Sequence, residues 1–458
     1  MTADRLSHAL DVAVSAARDA GAADVEASYQ GAETHFVRFA SSRFTQVGRT
    51  IDDALRVRVI VEHDGAARLG AQLCASLEPD AAREAARAAV EVARLAPPLD
   101  VALTFAAAED AGTAAVTTAV ALPDAVTAAH APARLGEAFA PHRAAGVTFA
   151  GAMKSHRQTL AVRTAAGLDR RFSEATSDVQ MIAIEPGGAS GYGGSFGAAD
   201  RDVDLSALAA SAADKALRSA DPVDVEPGRY DVVFAPAAVA ELLEWMSMVS
   251  FGATSLIDGT SLLAGREGAK LCDPRVTVRA RPADNEVPFD AEGTTRREVL
   301  FLDQGCGGHV VTDRISALRL GDARGSTGHA PPVTDDGSEG PRVRHLWMAP
   351  GDATVDQLVG AVDRGLLVTR LHYVNGLLDP RKATTTGMTR DGTFLIEGGK
   401  LGRGVRNMRF TEHMLEALSR IGGIGATCES VPTWWSDGGV LTMPHLLIRG
   451  FRFTGRSR

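Results

Sequence analysis

Glu244, in the stretch AVAELLEWMSM (238–248), is a carboxylate set among apolar residues. Val239, Leu242, Leu243, Met246 and Val249 recur at near-helical spacing behind an Ala-Pro start, which predicts an amphipathic helix docked on a sheet. A helical Glu serves hydrolytic chemistry when a metal-bound water lies beside it, yet no histidine is near. None of the twelve histidines forms an HxxxH or HExxH pair, the spacing that puts two imidazoles on one helix face.

Two other stretches offer a nucleophile. GGASGYGGSFG (187–197) contains GGSFG, formally a GxSxG around Ser195. That motif needs a strand running straight into the serine and a helix straight after it. Pro186 intervenes before Ser195 and the next helix starts only around Asp202, so the run reads as a flexible loop. Its Gly187, Gly191 and Gly193 also form a GxxxGxG pattern, a weak dinucleotide signal. In GCGGH, Cys306 stands three residues before His309, which reads as a tight hairpin turn rather than a thiolate–imidazole pair. Further on, Thr384, Thr385, Thr386, Arg390 and Asp391 gather beside a glycine. That composition suits either a peptide-binding rim or an ordinary β-meander.

The elements that must carry these residues divide the chain in two. A helix near 3–20 has Leu6, Leu10, Val14 and Ala17 on one face. Strands follow near 24–30, 34–40 and 55–61; in the last, Leu55, Val57, Val59 and Val61 alternate with Arg56 and Arg58, a half-buried pattern. EPDAAREAARAAVEVARLA is a helix ending at Pro97–Pro98. The Ala-rich stretch 99–120 reads as a connection, and 121–140 as a helix broken by Pro132. A hairpin turning at Lys154–His156, the strand SEATSDVQMIAIEP and a helix over 202–220 complete an α/β half, 1–222. Residues 223–458 read as strand-rich, with long helices only near 236–249, 354–366 and 411–420. In 384–418, Thr-Arg-Asp-Gly reads as a tight turn and Thr411–Glu412 as a helix start. The Gly/Pro-rich tract 326–341 reads as an exposed loop. The fold class is therefore α+β.

Bulk properties exclude several partners. The chain has 458 residues, 45% of them hydrophobic, and a net charge of −9, without a basic stripe for nucleic acid. Aromatics are only 5%, too few for base stacking. Cys74, Cys272, Cys306 and Cys428 are widely separated, which predicts neither a zinc module nor a disulfide framework and suits the cytoplasm. The charged N-terminus does not read as a signal peptide, and no run is long enough to cross a bilayer.

Four segments resemble the TldD/PmbA family, bacterial proteins described as modulators of DNA gyrase and as metallopeptidases. They are FAPAAVAELLEWMSM, EGTTRREVLFLDQG, TRLHYVNGLLDPRKATTTGMTRDGTFLIEGGKLGRGVRNMRF and LTMPHLLIRGFRFTG, within about 225–458. The resemblance implies a helix that bears HExxxH in metal-carrying members, with a C-terminal cysteine completing the zinc ligands. Position by position the first His falls on Leu243, the Glu on Glu244 and the second His on Met248, while Cys428 lies near the cysteine position. Both imidazoles are missing, and a thioether is a poor zinc ligand. The chain thus resembles the PmbA/TldE-type subunit, with no cofactor of its own and zinc expected in a TldD-like partner. The implied assembly is a two-subunit metallopeptidase acting on unfolded or modified peptides, with Thr386, Arg390 and Asp391 as candidate substrate-binding residues. The alternatives are a homodimeric peptide-binding scaffold and an independent hydrolase using Ser195 or Cys306.

Overall fold

Strict alternation over long strands builds the first layer. The computed structural model describes residues 3–111, 130–198, 203–282, 286–334, 340–432 and 439–456. Strands β1 (Asp24–Ala40), β2 (Arg43–His63), β3 (Ala66–Cys74), β4 (Thr148–Thr164), β5 (Asp169–Ile184) and β6 (Ser190–Ala198) form one antiparallel sheet in the order β3-β2-β1-β4-β5-β6. Odd-numbered residues of β1 face one side. Val25, Ala27 and Tyr29 pack with Leu55, Val57, Val59 and Val61 beneath α1 (Ala3–Asp19) and α2 (Pro79–Leu95). Farther along the same face, Val37, Phe39, Phe149, Met153, Val179 and Met181 pack beneath α3 (Ala131–Phe139) and α4 (Leu205–Arg218). Two glycines bring helices onto strands: a Cβ at Gly70 would collide with the Ala89 carbonyl of α2, and one at Gly191 with the Ala212 carbonyl of α4.

Several expectations need correction here. Lys154–His156 is not a turn. β4 runs unbroken through it, paired to β1 on one side and β5 on the other. The glycine-dense run is not a flexible loop either, because from Ser190 onward it is β6, in register with β5. Pro132 does not break a helix but sits in the first turn of α3, where its missing N–H costs nothing. Residues 121–129 of that expected helix, and 112–120 of the connection before it, lie outside the described residues.

The second half closes on itself. Its elements are β7 (Gly228–Phe234), α5 (Pro236–Ser250), α6 (Ala253–Ile257), β8 (Val278–Ala280), β9 (Val299–Asp303), β10 (Cys306–Gly307), α7 (Arg314–Arg319), β11 (His345–Met348), α8 (Val355–Gly360), β12 (Arg364–Asp379), β13 (Thr384–Glu397), β14 (Lys400–Gly404), β15 (Met408–His413), α9 (Met414–Leu418), β16 (Ile421–Pro432) and β17 (Val440–Arg456). β7, β12, β13, β15 and β17 pair in succession, and β17 pairs back to β7, so these five strands form a ring without free edges. Phe234, Phe410 and Phe453 surround Phe451 at ring distances of 4.9, 5.3 and 5.6 Å. β11 joins β17 in parallel and leads to β8, β9 and β10, while β16 lies along β17.

The expected helix over 354–366 is only the short α8, opened by a Thr354–Gln357 capping box, because Arg364 already begins β12. Thr411 and Glu412 belong to β15 rather than to a helix. The Thr-Arg-Asp-Gly turn is a bulge: Asp391 and Gly392 adopt φ of 53° and 124° while β13 continues past β12. In the tract read as an exposed loop, Thr327, His329, Ala330 and Val333 are buried, and 335–339 lie outside the described residues.

The even-numbered face of the first sheet is covered by residues of the second half. Val287, Phe289, Ala291 and Val333 pack on Ala54, Leu160, Val162 and Leu168. Arg58 Nη1 bonds Glu26 Oε1 at 3.2 Å and Glu292 Oε1 at 2.7 Å, and Arg170 Nη1 donates to the Gly293 carbonyl at 2.9 Å. Among the described residues no helix is long and apolar enough to cross a membrane.

Candidate functional site

Helix α5 is buried on almost every side, which is why it reads as apolar beyond one stripe. It packs against β12 and β17. Val239, Leu242, Leu243 and Met246 join the main core, and Leu243 is 1% exposed. Glu241 and Glu244, one helical turn apart, are 8% and 5% exposed. Burial and then the neighbouring Glu244 push the Glu241 carboxyl up to about 8, with the Arg370 guanidinium opposing them. Near neutral pH, Glu241 therefore holds a proton.

Arg370, on β12, anchors this cluster. Its Nη1 donates to Asp391 Oδ2 at 2.8 Å, and its guanidinium lies 4.4 Å from the centre of the Tyr192 ring. Asp391 Oδ1 accepts the Ser190 hydroxyl at 2.7 Å. Ser190 and Tyr192 come from β6, so the edge strand of one sheet is tied to the other sheet by a hydrogen bond to Asp391 and a ring contact with Arg370, the two members of one buried ion pair. Burial pushes the Tyr192 hydroxyl up to about 12, and it lowers His372 below the usual imidazole range, with Arg370 and Arg390 adding to the effect. Asp391 also lines a cleft of about 670 Å³ between the 187–190 turn and the second half, with Arg403, Arg406 and Asn407.

A separate cavity of about 440 Å³ opens beside α5. Glu244, Ser247 and Met248 form its helical wall. Thr254, Ser255, Asp258 and Thr260 form the next wall, and Arg342 and Arg344 line it farther along the chain. Leu243 is not on it.

The residues predicted from sequence are thus dispersed. Glu244 and Met248 share the cavity, whereas Leu243 is core. Asp391 belongs to the Arg370 cluster. Thr386 is spent inside the ladder, donating to the Phe410 carbonyl at 2.8 Å and accepting from Thr411 at 3.2 Å, and Arg390 is exposed. Cys428 lies on β16, its Sγ 3.6 Å from the Met348 carbonyl, and burial raises its thiol. Ser195 sits within β6, which continues past it, so no strand–turn–helix elbow exists there. GCGGH (305–309), expected as a tight hairpin turn, holds only the end of one: residues 304–305 turn from β9 into β10, Cys306 and Gly307 are already strand, and His309 Nδ1 lies 3.2 Å from Glu267 Oε1. Sequence reasoning missed Glu241, Tyr192 and Arg370. The Glu241–Glu244 spacing inside an apolar helix was the available signal for the first; nothing local marks the other two.

Comparison with known proteins agrees with this architecture. Residues 227–455 match the family model described as PmbA/TldA metallopeptidase C-terminal domain. A "Metalloprotease" from Methanothermobacter thermautotrophicus is 24% identical over 278 residues, 56% of this chain and 57% of that protein, so the chain spans just over half the length of this relative. The fold is similar to the crystal structure of TldE from Thermococcus kodakarensis, with a TM-score of 0.81 at 18% identity, covering 98% of this chain and all of that one. It is also similar to a putative modulator of a DNA gyrase from Thermotoga maritima, with a TM-score of 0.80 at 18% identity and coverage of 98% and 100%. A metallopeptidase name implies a metal. Among the described residues, no three His, Cys, Asp or Glu side chains stand together as a ligand set, and Leu243 and Met248 flank Glu244 without nitrogen donors. These residues do not fit a catalytic zinc.

Proposed function

The chain belongs to the TldD/PmbA metallopeptidase family, and from that membership we propose that it is the subunit without a metal in a two-chain peptidase. A TldD-like partner supplies zinc and the activated water, and this chain helps enclose unfolded or modified peptides. One observation carries the reading: the helix that holds Glu244 offers the hydrocarbon of Leu243 and the thioether of Met248 where imidazoles would be needed. A metal site with one helical carboxylate has too few donors to persist, so hydrolysis needs a second chain.

In this reading the exposed Arg390, beside the Asp391 bulge, is the residue that contacts an extended peptide. The test is metal analysis and peptide cleavage by the purified chain, alone and co-expressed with a TldD-like protein. Zinc and cleavage are expected only with the partner; stoichiometric zinc in the isolated chain would end the proposal. Within the complex, Arg390→Ala should lower peptide turnover several-fold. Unchanged turnover would remove this residue from the substrate path.

A further inference from the structure

We propose that two copies of this chain join edge to edge through the first half of β2, in an antiparallel two-fold contact centred on Gly48. β1 lies along one side of β2 over its whole length, whereas β3 pairs with the other side only from Leu55 to His63. Among the described residues nothing pairs with 43–53 on that second side. Backbone N–H and C=O groups are left open there, and such an edge is a template for another strand. No proline or lysine interrupts it. The segment also shows apolar side chains to solvent: Phe44, Val47 and Ile51 are 39%, 46% and 59% exposed. β3 ends at Cys74, opposite Leu55, so it stops short of the open segment.

The distribution of residues along this edge selects a second copy as the occupant. Arg43 opens the segment and Asp52 stands near its end; both are exposed, and neither has an ion-pair partner among the described residues. Antiparallel copies set the arginine end of one against the aspartate end of the other, and the two-fold axis makes that match twice. Parallel copies would set like charge on like. The faces agree as well. Gln46 pairs with Arg38 but Phe44 pairs with Phe39, so β2 holds one extra residue at Thr45. Phe39 and Val37 share one core, which places Phe44 on the same face as Val47 and, two alternations on, Ile51. Arg43 then shares the opposite face with Asp52. With Gly48 facing Gly48 of the second copy, Gln46 meets Thr50. The extra residue brings Phe44 level with Ile51 and Arg43 level with Asp52. Without it, Phe44 would stand opposite Asp52. An aromatic–β-branched pair and an opposite-charge pair, each made twice, are the pairs that stabilise neighbouring strands. The contact makes one continuous sheet from the six strands of each copy.

Sedimentation velocity of the full chain over a range of concentrations tests this. The wild-type chain should dimerise reversibly. Arg43→Asp and Asp52→Arg should each raise the dimer dissociation constant about 10-fold or more, because each variant meets like charge at two places. Combining the two restores opposite charge and should recover most of the affinity. Ile51→Lys should weaken the dimer without changing the fold, since this side chain already faces solvent. A mixture of Gln46→Cys and Thr50→Cys chains should be joined by a short bismaleimide, whereas the unsubstituted chain and either variant alone should not. A monomer at every concentration overturns the proposal. A dimer that none of these substitutions weakens, or one that the combined exchange fails to recover, overturns it too. The contact does not depend on the peptidase reading: a monomer that still gains cleavage from a TldD-like chain defeats the contact and leaves that reading intact.

Discussion

Glu241 concentrates the electrostatics of α5 in one carboxyl. Its folded-state value of about 8 lies above the ordinary 4.5, first through burial and then through Glu244. The folded chain therefore holds a proton between roughly pH 4.5 and 8 that the unfolded chain releases. Stability from this group is complete below that window and declines as pH rises through it. Glu241→Gln keeps the shape and removes the ionisation. It should leave the melting temperature at pH 5 almost unchanged and stabilise the protein by about 2–4 kcal/mol at pH 8.5. Chemical denaturation at both pH values checks this, and an equal effect at both would show that Glu241 does not hold the proton. Glu244 was recognisable as a candidate because a lone carboxylate in an apolar helix breaks the pattern. Glu241 carried the same signal but gained its meaning only from its burial beside Glu244 in the folded chain, against the opposing Arg370, more than a hundred residues along the chain.

β6 shows how an element can be misread when composition outweighs context. Its glycines look like a loop, and also like fragments of nucleotide-binding and nucleophile motifs. In the structure they are small because α4 lies directly on the strand, with no room for a Cβ at Gly191. Gly191→Val should therefore push α4 away and cost about 1–3 kcal/mol or more, read as a lower midpoint of urea unfolding. A surface loop would tolerate the change within about 0.5 kcal/mol. Elements with strong local periodicity were legible: α1, α2, α4, α5 and the buried alternation of 55–61 appear where their patterns predict. The misread ones are strands whose middles carry polar residues, such as Lys154–His156, and short helices that a neighbouring strand truncates, such as α8. Ladder pairing overrides local preference in both cases.

At the scale of the molecule, the two sheets are joined through buried charge. Arg56 and Arg58 read as the solvent side of a half-buried strand, yet both are enclosed by the second half. Arg58 bridges Glu26 and Glu292, so each half contributes one carboxylate. Arg58→Met would leave both carboxylates buried without their cation, at a cost of about 3–5 kcal/mol. Adding Glu26→Gln should recover part of that loss, because it removes one of the stranded charges. Thermal melts of the single and double variants decide it, and additive losses would show that Arg58 does not couple the halves. Alternation along β2 by itself determined which face meets α1 and α2, and the residues of α5 determined that imidazole ligands are absent, since both depend only on neighbours in the chain. Only the tertiary structure decided that the arginine face is buried, that Glu241 keeps a proton and that Glu244 borders a cavity. Those outcomes depend on segments far away in sequence covering a surface, and a covered surface changes the cost of charge in ways local periodicity does not record.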